Sequence, residues 1–431
     1  MTRQAALGLA LSLLAAPALA SVIGTNVPAQ PITAARIAQL PAAQQPAWKA
    51  YLARSDAQEK ADRAALAAEL KPGETAPPPP PTGHGDGGMP LNKDAAWYAS
   101  PEARHVADVI ISFQTPAGGW SKNQDRTGAL RLPGQPWASD NNSKYLTEND
   151  FDAARDPKWG YVGTLDNNAT ITELRFLAKV ALATGRDGEA YRTSFLKGVR
   201  YLLNAQFPNG GWPQVWPLEG GYHDAVTFND NAVSEAADLL TEVSEGKPEF
   251  AFVPADLRAK AGVAAKKGRE VIVASQIRVD GKPTLWGQQA DPFTLAPVAG
   301  RNFEPPALST GESADLLTYL MSLPDPTPAE ITAVHAGVAW LKGAAIMGKA
   351  WTGGKGNPEG RRLVEQPGAG PLWSRYYSTA GQPVFGERDK TLRDDANELS
   401  LERRNGYAWF GAGPAKAIAM YDGWAKTHPA K

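Results

Sequence analysis

The sequence predicts an all-α fold, namely an (α/α) toroid or incomplete helical barrel whose long loops form the active face. From about Asp94 onward, apolar residues recur at helical spacing in long segments, while alternating strand patterns are scarce. Loops rich in Gly, Pro and Trp separate these segments. The motif Gln-x-Pro-x-Gly-Gly-Trp occurs twice, each time directly after a predicted helix. Such repetition indicates one helix–loop unit that is used more than once.

Eight segments are predicted as helices of this toroid, because their apolar residues line one helical face. They are residues 105–113, 168–183, 194–205, 231–243, 255–275, 312–323, 329–347 and 412–424. Helix hairpins whose loops all emerge at one end would form a barrel with a loop-lined face.

Composition excludes several classes of protein. The 431 residues carry 44 Lys and Arg against 45 Asp and Glu, a net charge of −1, so nothing indicates a dedicated nucleic-acid binder. A polyanionic partner could bind only through a local cluster of positive charge. Cysteine is absent, which excludes disulfides, thiolate zinc sites, iron–sulfur clusters and cysteine nucleophiles. Neither HExxH, GxSxG nor a Walker loop occurs.

Residues 1–20 are predicted to be an export signal. Arg3 precedes a short apolar stretch, and Ala18-Leu19-Ala20 is a small-x-small cleavage site. The apolar stretch is short for a membrane span of about 20 residues, although an uncleaved anchor or a buried helix remains an alternative. Cleavage after Ala20 predicts a soluble protein, periplasmic or secreted, that has no membrane association.

The remainder divides into three parts. Residues 21–76 form an extension in which residues 48–70 have loosely helical spacing. Residues 77–93 are a Pro- and Gly-rich linker, and residues 94–431 are the catalytic toroid domain. The extension either packs on the toroid or serves as a flexible tether.

The two Gly-Gly-Trp loops present Trp120 and Trp212. A tight glycine turn could expose each ring as a sugar platform, or the rings could plug the top of the helical barrel. We include Trp212, and Lys122 in the loop after the first motif, among the candidate substrate-binding residues.

Three further loops concentrate carboxylates, amides and arginine. Asp166 and Asn167 precede one predicted helix, and Asp230 precedes another. Their hard oxygen ligands suit Ca²⁺, whereas Asp and Asn are also the usual helix N-caps. In the third loop Arg301 has Glu304 as an available ion-pair partner.

A family resemblance extends from about residue 106 to residue 413. The residues that carry it are Thr164-Leu-Asp166-Asn167-x-Ala-Thr170, the two Gly-Gly-Trp loops, Thr227-Phe-Asn229-Asp230, Arg301-x-Phe303-Glu304-Pro305-Pro306, Trp373-Ser-Arg375-Tyr376-Tyr377, Glu387-Arg388-Asp389 and Glu402-Arg403-Arg404-x-Gly406-Tyr407-Ala408-Trp409. In this order they resemble the motifs of the pectate lyases of polysaccharide lyase family 10. Two positions depart from the family pattern: Asn168 replaces a frequent Gly, and Asn231 replaces a frequent Asp, which could weaken cation binding.

The resemblance implies an (α/α) toroid that cleaves polygalacturonate by Ca²⁺-assisted β-elimination into 4,5-unsaturated oligogalacturonides. It also implies the roles of individual residues: Arg301 as the catalytic arginine, Asp166 and Asn167 at the Ca²⁺ and uronate site, Asp230 as a further acidic residue there, and Arg375 and Arg388 as the arginines that bind substrate carboxylates. Ca²⁺ is therefore the expected cofactor, polygalacturonate the expected partner, and a monomer the expected state.

Elimination removes the weakly acidic C-5 proton of a uronate, and a cation on the neighbouring carboxylate stabilises the resulting charge. As the base, Arg301 would have to lose a proton from a group with a pKa near 12.5, which costs roughly 5 kcal/mol at about pH 9. Ca²⁺ and other arginines nearby would lower that pKa, and an alkaline optimum follows. Alternatively Arg301 stays charged, and hydroxide or water takes the proton.

Two other classes of function remain open at the level of sequence. One is a glycoside hydrolase on the same toroid that uses Asp166 and Asp230, which inverting chemistry would hold about 6.5–9.5 Å apart. The other is a polyuronate-binding protein without turnover.

Overall fold

The structure, a computed structural model, describes residues 22–83, 88–354 and 356–430, so the predicted signal sequence lies outside the described residues. Within these ranges the helices are α1 (Ala34–Ala38), α2 (Gln45–Ala68), α3 (Pro101–Ser112), α4 (Ile171–Thr184), α5 (Glu189–Ala205), α6 (Ala232–Glu245), α7 (Ala255–Ala274), α8 (Thr310–Ser322), α9 (Pro328–Gly343), α10 (Leu401–Gly406) and α11 (Pro414–Trp424). The predicted helical toroid is confirmed, and α3 to α9 and α11 correspond to the eight predicted helices. The one-and-a-half turns of α10 are too short to produce a recognisable period.

The helices pack as hairpins around one hydrophobic core. Contacts join α4 to α5, α6 to α7 and α8 to α9, and α11 packs against both α8 and α9. Residues of α3 to α9 and α11 belong to the same buried apolar cluster. The loops before α4, α6 and α8 open at the same end of the barrel, where they meet in one cleft.

The repeated tryptophans fasten each loop to the helix before it. In four successive units a buried indole Nε1 donates to a carbonyl near the end of the preceding long helix: Trp120 to Ile110 (2.7 Å), Trp212 to Leu202 (2.8 Å), Trp286 to Ile272 (2.6 Å) and Trp373 to Leu341 (2.8 Å). The ring of Trp212 is fully buried. The expectation that Trp212 is a sugar platform is therefore wrong, because the glycine pair turns the ring into the core.

The glutamine that opens the motif completes this fastening. Gln114 Nε2 donates to Gly118 O of its own loop (2.8 Å) and to Ser194 O of α5 (2.9 Å). Gln206 makes the equivalent pair of bonds to Gly210 O (2.9 Å) and Ala264 O (2.8 Å). Gly118 has φ 111°, and a Cβ there would lie 2.6 Å from the carbonyl of Lys197 on α5. The motif thus serves to pack the loop against the helix, because only glycine at position 118 lets the loop approach α5 this closely.

The strands are short and tie the loops together. They are β1 (Val22–Thr25), β2 (Val226–Thr227), β3 (Arg278–Val279), β4 (Lys282–Pro283), β5 (Gln289–Ala290), β6 (Leu308–Ser309), β7 (Lys349–Thr352), β8 (Arg362–Glu365), β9 (Trp373–Ser374), β10 (Tyr376–Tyr377), β11 (Phe385–Gly386), β12 (Thr391–Arg393) and β13 (Phe410–Gly411). Pairs form between β2 and β5, β3 and β4, β6 and β10, β7 and β8, and β9 and β13, while β1, β12 and β11 form a three-stranded sheet in that order. Most are too short to show alternation in the sequence.

The N-terminal extension packs on the toroid. Trp48 and Tyr51 of α2 are buried against Phe207, with ring centroids 5.4 and 5.1 Å from it. Tyr51 Oη donates to Ala205 O (3.0 Å), and Ser55 Oγ accepts from the backbone N–H of Leu218 (2.8 Å). The described residues of the extension, 22–76, therefore pack on the toroid and do not form a flexible tether.

The described part of the Pro/Gly-rich segment 77–93 also contacts the toroid. Gln135 donates to Pro78 O (3.0 Å), and Ser139 donates to Pro81 O (3.2 Å). Residues 84–87 within it lie outside the described residues. No helix among the residues that the structure describes is long and apolar enough to cross a membrane.

Candidate active site

A polar cleft of about 880 Å³ lies at the end of the barrel where α4, α6 and α8 begin. Charged side chains dominate its lining: Lys122, Lys144, Asp152, Asp166, Asp230, Arg301, Glu304, Arg375, Arg388, Glu402 and Arg403. Among the predicted site residues, Asn167 also lines this cleft and Trp212 does not. The cleft thus combines many cations with buried carboxylates, a lining suited to an acidic ligand.

The two acidic loops have the same unusual backbone. Asn167 and Asn168 have φ of 51° and 56°, and Asp230 and Asn231 have φ of 50° and 61°. Non-glycine residues with a left-handed conformation are uncommon, and a strained backbone often marks a functional site. Asn tolerates this left-handed conformation better than most other non-glycine residues, which suits Asn167 and Asn168 to these positions.

Neither aspartate caps a helix. The N-cap of α4 is Thr170 and that of α6 is Asn231, and neither makes a side-chain capping bond. The capping interpretation of Asp166 and Asp230 is therefore wrong. The left-handed residues between each aspartate loop and its helix turn both carboxylates into the cleft.

Asp166 is buried in the cleft, and both of its carboxylate oxygens are hydrogen-bonded. Its Oδ2 accepts a short hydrogen bond from Lys122 Nζ, and its Oδ1 accepts from Gln214 Nε2 (2.8 Å). Burial opposes its ionisation, but Lys122 and a hydrogen bond shared with Asp230 lower the pKa of Asp166 below its usual range. Burial and the neighbouring Asp166 charge raise the pKa of Asp230.

This arrangement fits a hard divalent cation. Asp166 and Asp230 are close enough for each to shift the pKa of the other, and Lys122 donates to Asp166. Gln214, whose Nε2 donates to Asp166, has its Oε1 buried without a hydrogen-bond partner. Oxygen donors of this kind suit Ca²⁺.

The donor set is small, however. Within the described ranges no three His, Asp or Glu side chains converge as metal ligands. Asn231, where the family often has Asp, hydrogen-bonds Asp315 and is not part of the cleft lining. Further oxygen ligands of a cation would have to come from carbonyl or amide groups, from water or from a bound ligand.

Arg301 is bound to Glu304. Its Nη2 donates to Glu304 Oε1 (2.6 Å) and its backbone N–H donates to Oε2 (2.8 Å), while Tyr407 Oη also donates to Oε1 (2.7 Å). Burial alone would lower the pKa of Arg301, but Glu304 raises it above the usual value. Without Ca²⁺, the charged group bound to Arg301 is thus a carboxylate that stabilises its cationic form. The lowering of its pKa by Ca²⁺ and other arginines stays a prediction.

Arg375 and Arg388 each have a carboxylate partner as well. Arg375 Nη2 donates to Glu312 Oε1 (2.6 Å). Arg388 makes two bonds to Glu402, both 2.9 Å long, and Glu402 is also bound by Arg403. Bonds from Arg403 and Arg388 lower the pKa of Glu402 to about 2, so this carboxylate stays ionised. The arginines are thereby fixed in position, each on the wall of the cleft.

Several residues of the cleft were not predicted as site residues, among them Tyr145, Lys144 and Arg403. Tyr145 is 58% exposed, and its ring lies 4.5 Å from Arg388 Cζ. Lys144 precedes it in the same loop, and Arg403 packs over Phe303 at 4.1 Å. The loop around Tyr145 has no periodicity or motif. Its only signal is an exposed aromatic beside a lysine, which is too common to be specific.

The fold is a helical toroid, and its loop-lined cleft suits an acidic ligand. Residues 114–418 match the sequence model of the pectic acid lyase family, and the chain belongs to that family. A search of curated proteins gave no significant match.

Solved structures agree with this assignment. A family 10 polysaccharide lyase from Cellvibrio cellulosa is 30% identical, with a TM-score of 0.63, over 78% of this chain and 98% of its own. A mutant of such a lyase from the same organism, in complex with trigalacturonic acid, is 29% identical, with a TM-score of 0.63, over 80% of this chain and 99% of its own.

Proposed function

We propose that this protein is an exported pectate lyase that cleaves α-1,4-polygalacturonate by Ca²⁺-assisted β-elimination. The observation that carries the proposal is the cleft itself, which is lined by Arg301, Arg375, Arg388 and Lys122 together with Asp166 and Asp230. A polyuronate has one carboxylate on every ring, and guanidinium groups bind carboxylates through paired, charge-assisted hydrogen bonds.

In the proposed reaction the C-5 proton of a bound galacturonate is removed, the C-5 electron pair forms the C-4–C-5 double bond, and the C-4–O-4 bond breaks. The departing oxygen takes a proton from solvent. We assign the C-5 proton to Arg301, whose side chain is 39% exposed. Glu304 makes the neutral form of Arg301 scarce, so the reaction depends on alkaline pH. Hydroxide or water acting beside a charged Arg301 is the competing version.

Asp166 and Asp230 are the proposed ligands of Ca²⁺, with Asn167 and the amide oxygen of Gln214 beside them. Bound there, Ca²⁺ would withdraw charge from the uronate carboxylate and so stabilise the enolate-like transition state. Within the described residues no third acidic or histidine side chain joins Asp166 and Asp230 as a metal ligand, and Lys122 engages Asp166. We therefore propose that Ca²⁺ binds tightly only together with substrate. Lys122, Arg375 and Arg388 are the proposed uronate-binding residues.

The family assignment argues against the glycoside hydrolase alternative, in which Asp166 and Asp230 would be the two catalytic carboxyl groups. Residues 114–418 match the model of the pectic acid lyase family.

The decisive experiment incubates de-esterified polygalacturonate with the protein at alkaline pH and follows the ultraviolet absorbance of unsaturated uronides. Absorbance that rises with Ca²⁺, and is lost with chelator and in Arg301→Ala, would support the proposal. New reducing ends without this absorbance would indicate hydrolysis. Binding without any product would indicate a polyuronate-binding protein and would refute the proposal.

The two versions of proton removal differ in chemical rescue of the Arg301→Ala variant. If Arg301 is the base, added amines and guanidine should restore activity with a rate that depends on the pKa of the added base. If Arg301 acts only through its charge, guanidinium should rescue without such a dependence, and neutral amines should not rescue.

Export is proposed from residues 1–20 and from the substrate, since a pectic polymer lies outside the cell that uses it. Expression of the full chain in a bacterium, followed by fractionation and N-terminal sequencing, tests this proposal. A mature chain that begins at Ser21 is expected in the exported fraction. An intact Met1 in the cytoplasmic fraction would contradict export.

A further inference from the structure

The N-terminal end of the described chain lies against the loop that carries Arg301. Strand β1 pairs antiparallel with β12, with Val22 opposite Arg393 and Thr25 opposite Thr391. Asn26 follows directly, and its backbone N–H donates to Lys390 O (2.7 Å). This pairing carries the side chain of Asn26 under the Arg301 loop, where it is 3% exposed.

The side-chain amide of Asn26 lies at the centre of three carbonyl groups. Its Nδ2 is 3.3 Å from Arg301 O, 3.0 Å from Asn302 O and 3.1 Å from Glu304 O. Carbonyl oxygens that converge on one buried point repel each other unless a donor lies between them. Asn26 supplies that donor, and the turn holds Arg301 and its partner Glu304 in one geometry.

The same turn is fixed from its other side by Asn302. Its Nδ2 donates to Arg388 O (2.8 Å) and to Asp150 (3.0 Å), and its Oδ1 accepts from the backbone N–H of Phe151 (2.9 Å). Asn26 and Asn302 thus connect the Arg301 turn, the Arg388 loop and the N-terminal strand into one unit. Residues 22–26 lie outside the stretch 114–418 that the family model matches.

We propose that Asn26 is a positioning residue for Arg301, which makes the N-terminal segment a working part of the active site. This inference rests on the proposed lyase function. Displacement of a reacting group by about 1 Å can cost on the order of 100-fold in rate. Loss of the Asn26 donor should therefore lower the rate of the chemical step without a matching loss of substrate binding.

The test compares Asn26→Leu, which keeps the branched shape but has no donor, with the unaltered protein. The matched control is Tyr51→Phe, which removes another buried hydrogen bond of the N-terminal segment far from the cleft. Melting temperature, kcat and KM for polygalacturonate are measured for each. Asn26→Ala is the second variant, in case the leucine does not fit the site.

We expect a roughly 10- to 100-fold lower kcat for Asn26→Leu, a KM within about twofold of the unaltered protein, and a melting temperature close to that of Tyr51→Phe. Tyr51→Phe should keep its kcat. An unchanged kcat in both folded Asn26 variants, or a raised KM with unchanged kcat, would overturn the inference. Absence of lyase activity in the unaltered protein would instead refute the proposed function.

Discussion

Asp62 should make the protein lose stability as the pH rises toward the alkaline range in which the proposed lyase works. This residue of α2 is fully buried: its Oδ1 accepts from Gln58 Nε2 (2.8 Å), and its Oδ2 has no hydrogen-bond partner. Burial, only partly offset by Gln58 and by the charge of Lys197, raises the pKa of Asp62 from 3.8 to about 6. The neutral acid is therefore the form that fits the folded protein.

The magnitude follows from linkage. A carboxyl whose pKa is higher in the folded state contributes its stability fully below the unfolded pKa, and this contribution disappears as the pH rises through the folded pKa. A shift of about two units corresponds to roughly 3 kcal/mol. The substitution Asp62→Asn replaces the carboxyl with an uncharged amide of the same shape. As the pH rises from about 4 to about 8, the free energy of unfolding of this variant should therefore increase by roughly 3 kcal/mol relative to that of the unaltered protein.

Urea unfolding of both proteins at several pH values measures this difference. Asp56→Asn is the matched control, because Asp56 is an exposed carboxylate on the same helix. The free energy of unfolding of Asp62→Asn, relative to that of the unaltered protein, should grow from pH 4 and level off above pH 7. The same quantity for the control should change little. A difference that is the same at every pH would refute the reasoning, since no proton would then be linked to folding at this site.

The remaining predictions concern the cleft and its supports. Trp212→Ala should lower the free energy of unfolding by roughly 3–5 kcal/mol, because the ring is buried. The KM of the folded fraction should not change. A raised KM without loss of stability would instead indicate that the ring contacts the sugar. Tyr145→Ala should raise KM about three- to tenfold with unchanged kcat, because it removes an exposed apolar face beside Arg388, and Tyr145→Phe should restore KM; initial rates decide this. Asp230→Asn should raise the Ca²⁺ concentration for half-maximal activity about tenfold or more, since one of two carboxylate ligands is lost, and an unchanged Ca²⁺ titration would place the ion elsewhere. For the unaltered protein, log kcat should rise with pH with a slope near one, up to the pH at which the protein unfolds. The reason is that each pH unit multiplies the neutral fraction of Arg301 about tenfold. A plateau near neutral pH would argue against Arg301 as the base.

The helices of the toroid could be predicted because each buries one apolar face, which leaves a period in the sequence. The environment of a single side chain leaves no such period. Trp212 follows a glycine pair whether the turn exposes its ring or buries it, and only the approach of the loop to α7 decides between the two. The repeat could therefore be recognised in the sequence, but whether its tryptophan is buried or exposed to substrate could not be predicted.

The charged residues of the cleft show a similar limit. Glu304 stands three residues after Arg301, so their pairing could be anticipated. The effect of that pair on the pKa of Arg301 depends on which charge is nearest in space. Asp166 was recognised as a candidate, yet its partner Lys122 is 44 positions away and Gln214 is 48 positions away. Contacts at such separations are set by the fold and cannot be read from local spacing.

The tryptophan bonds and the β1–β12 pairing differ in how far along the chain they reach. The indoles bond to carbonyls only 10, 10, 14 and 32 residues away, whereas Asn26 meets the Arg301 turn from a distance of 275 residues. Closing a short loop costs less entropy than closing a long one, so each helix with its loop can order early. The cleft, by contrast, is complete only when the N-terminal strand has paired with β12 and reached the Arg301 turn. In pulse-labelled hydrogen exchange during refolding, the backbone amides at the helix ends beside Trp120 and Trp212 should accordingly become protected before the backbone amide of Asn26. The toroid should therefore form before the active site is complete.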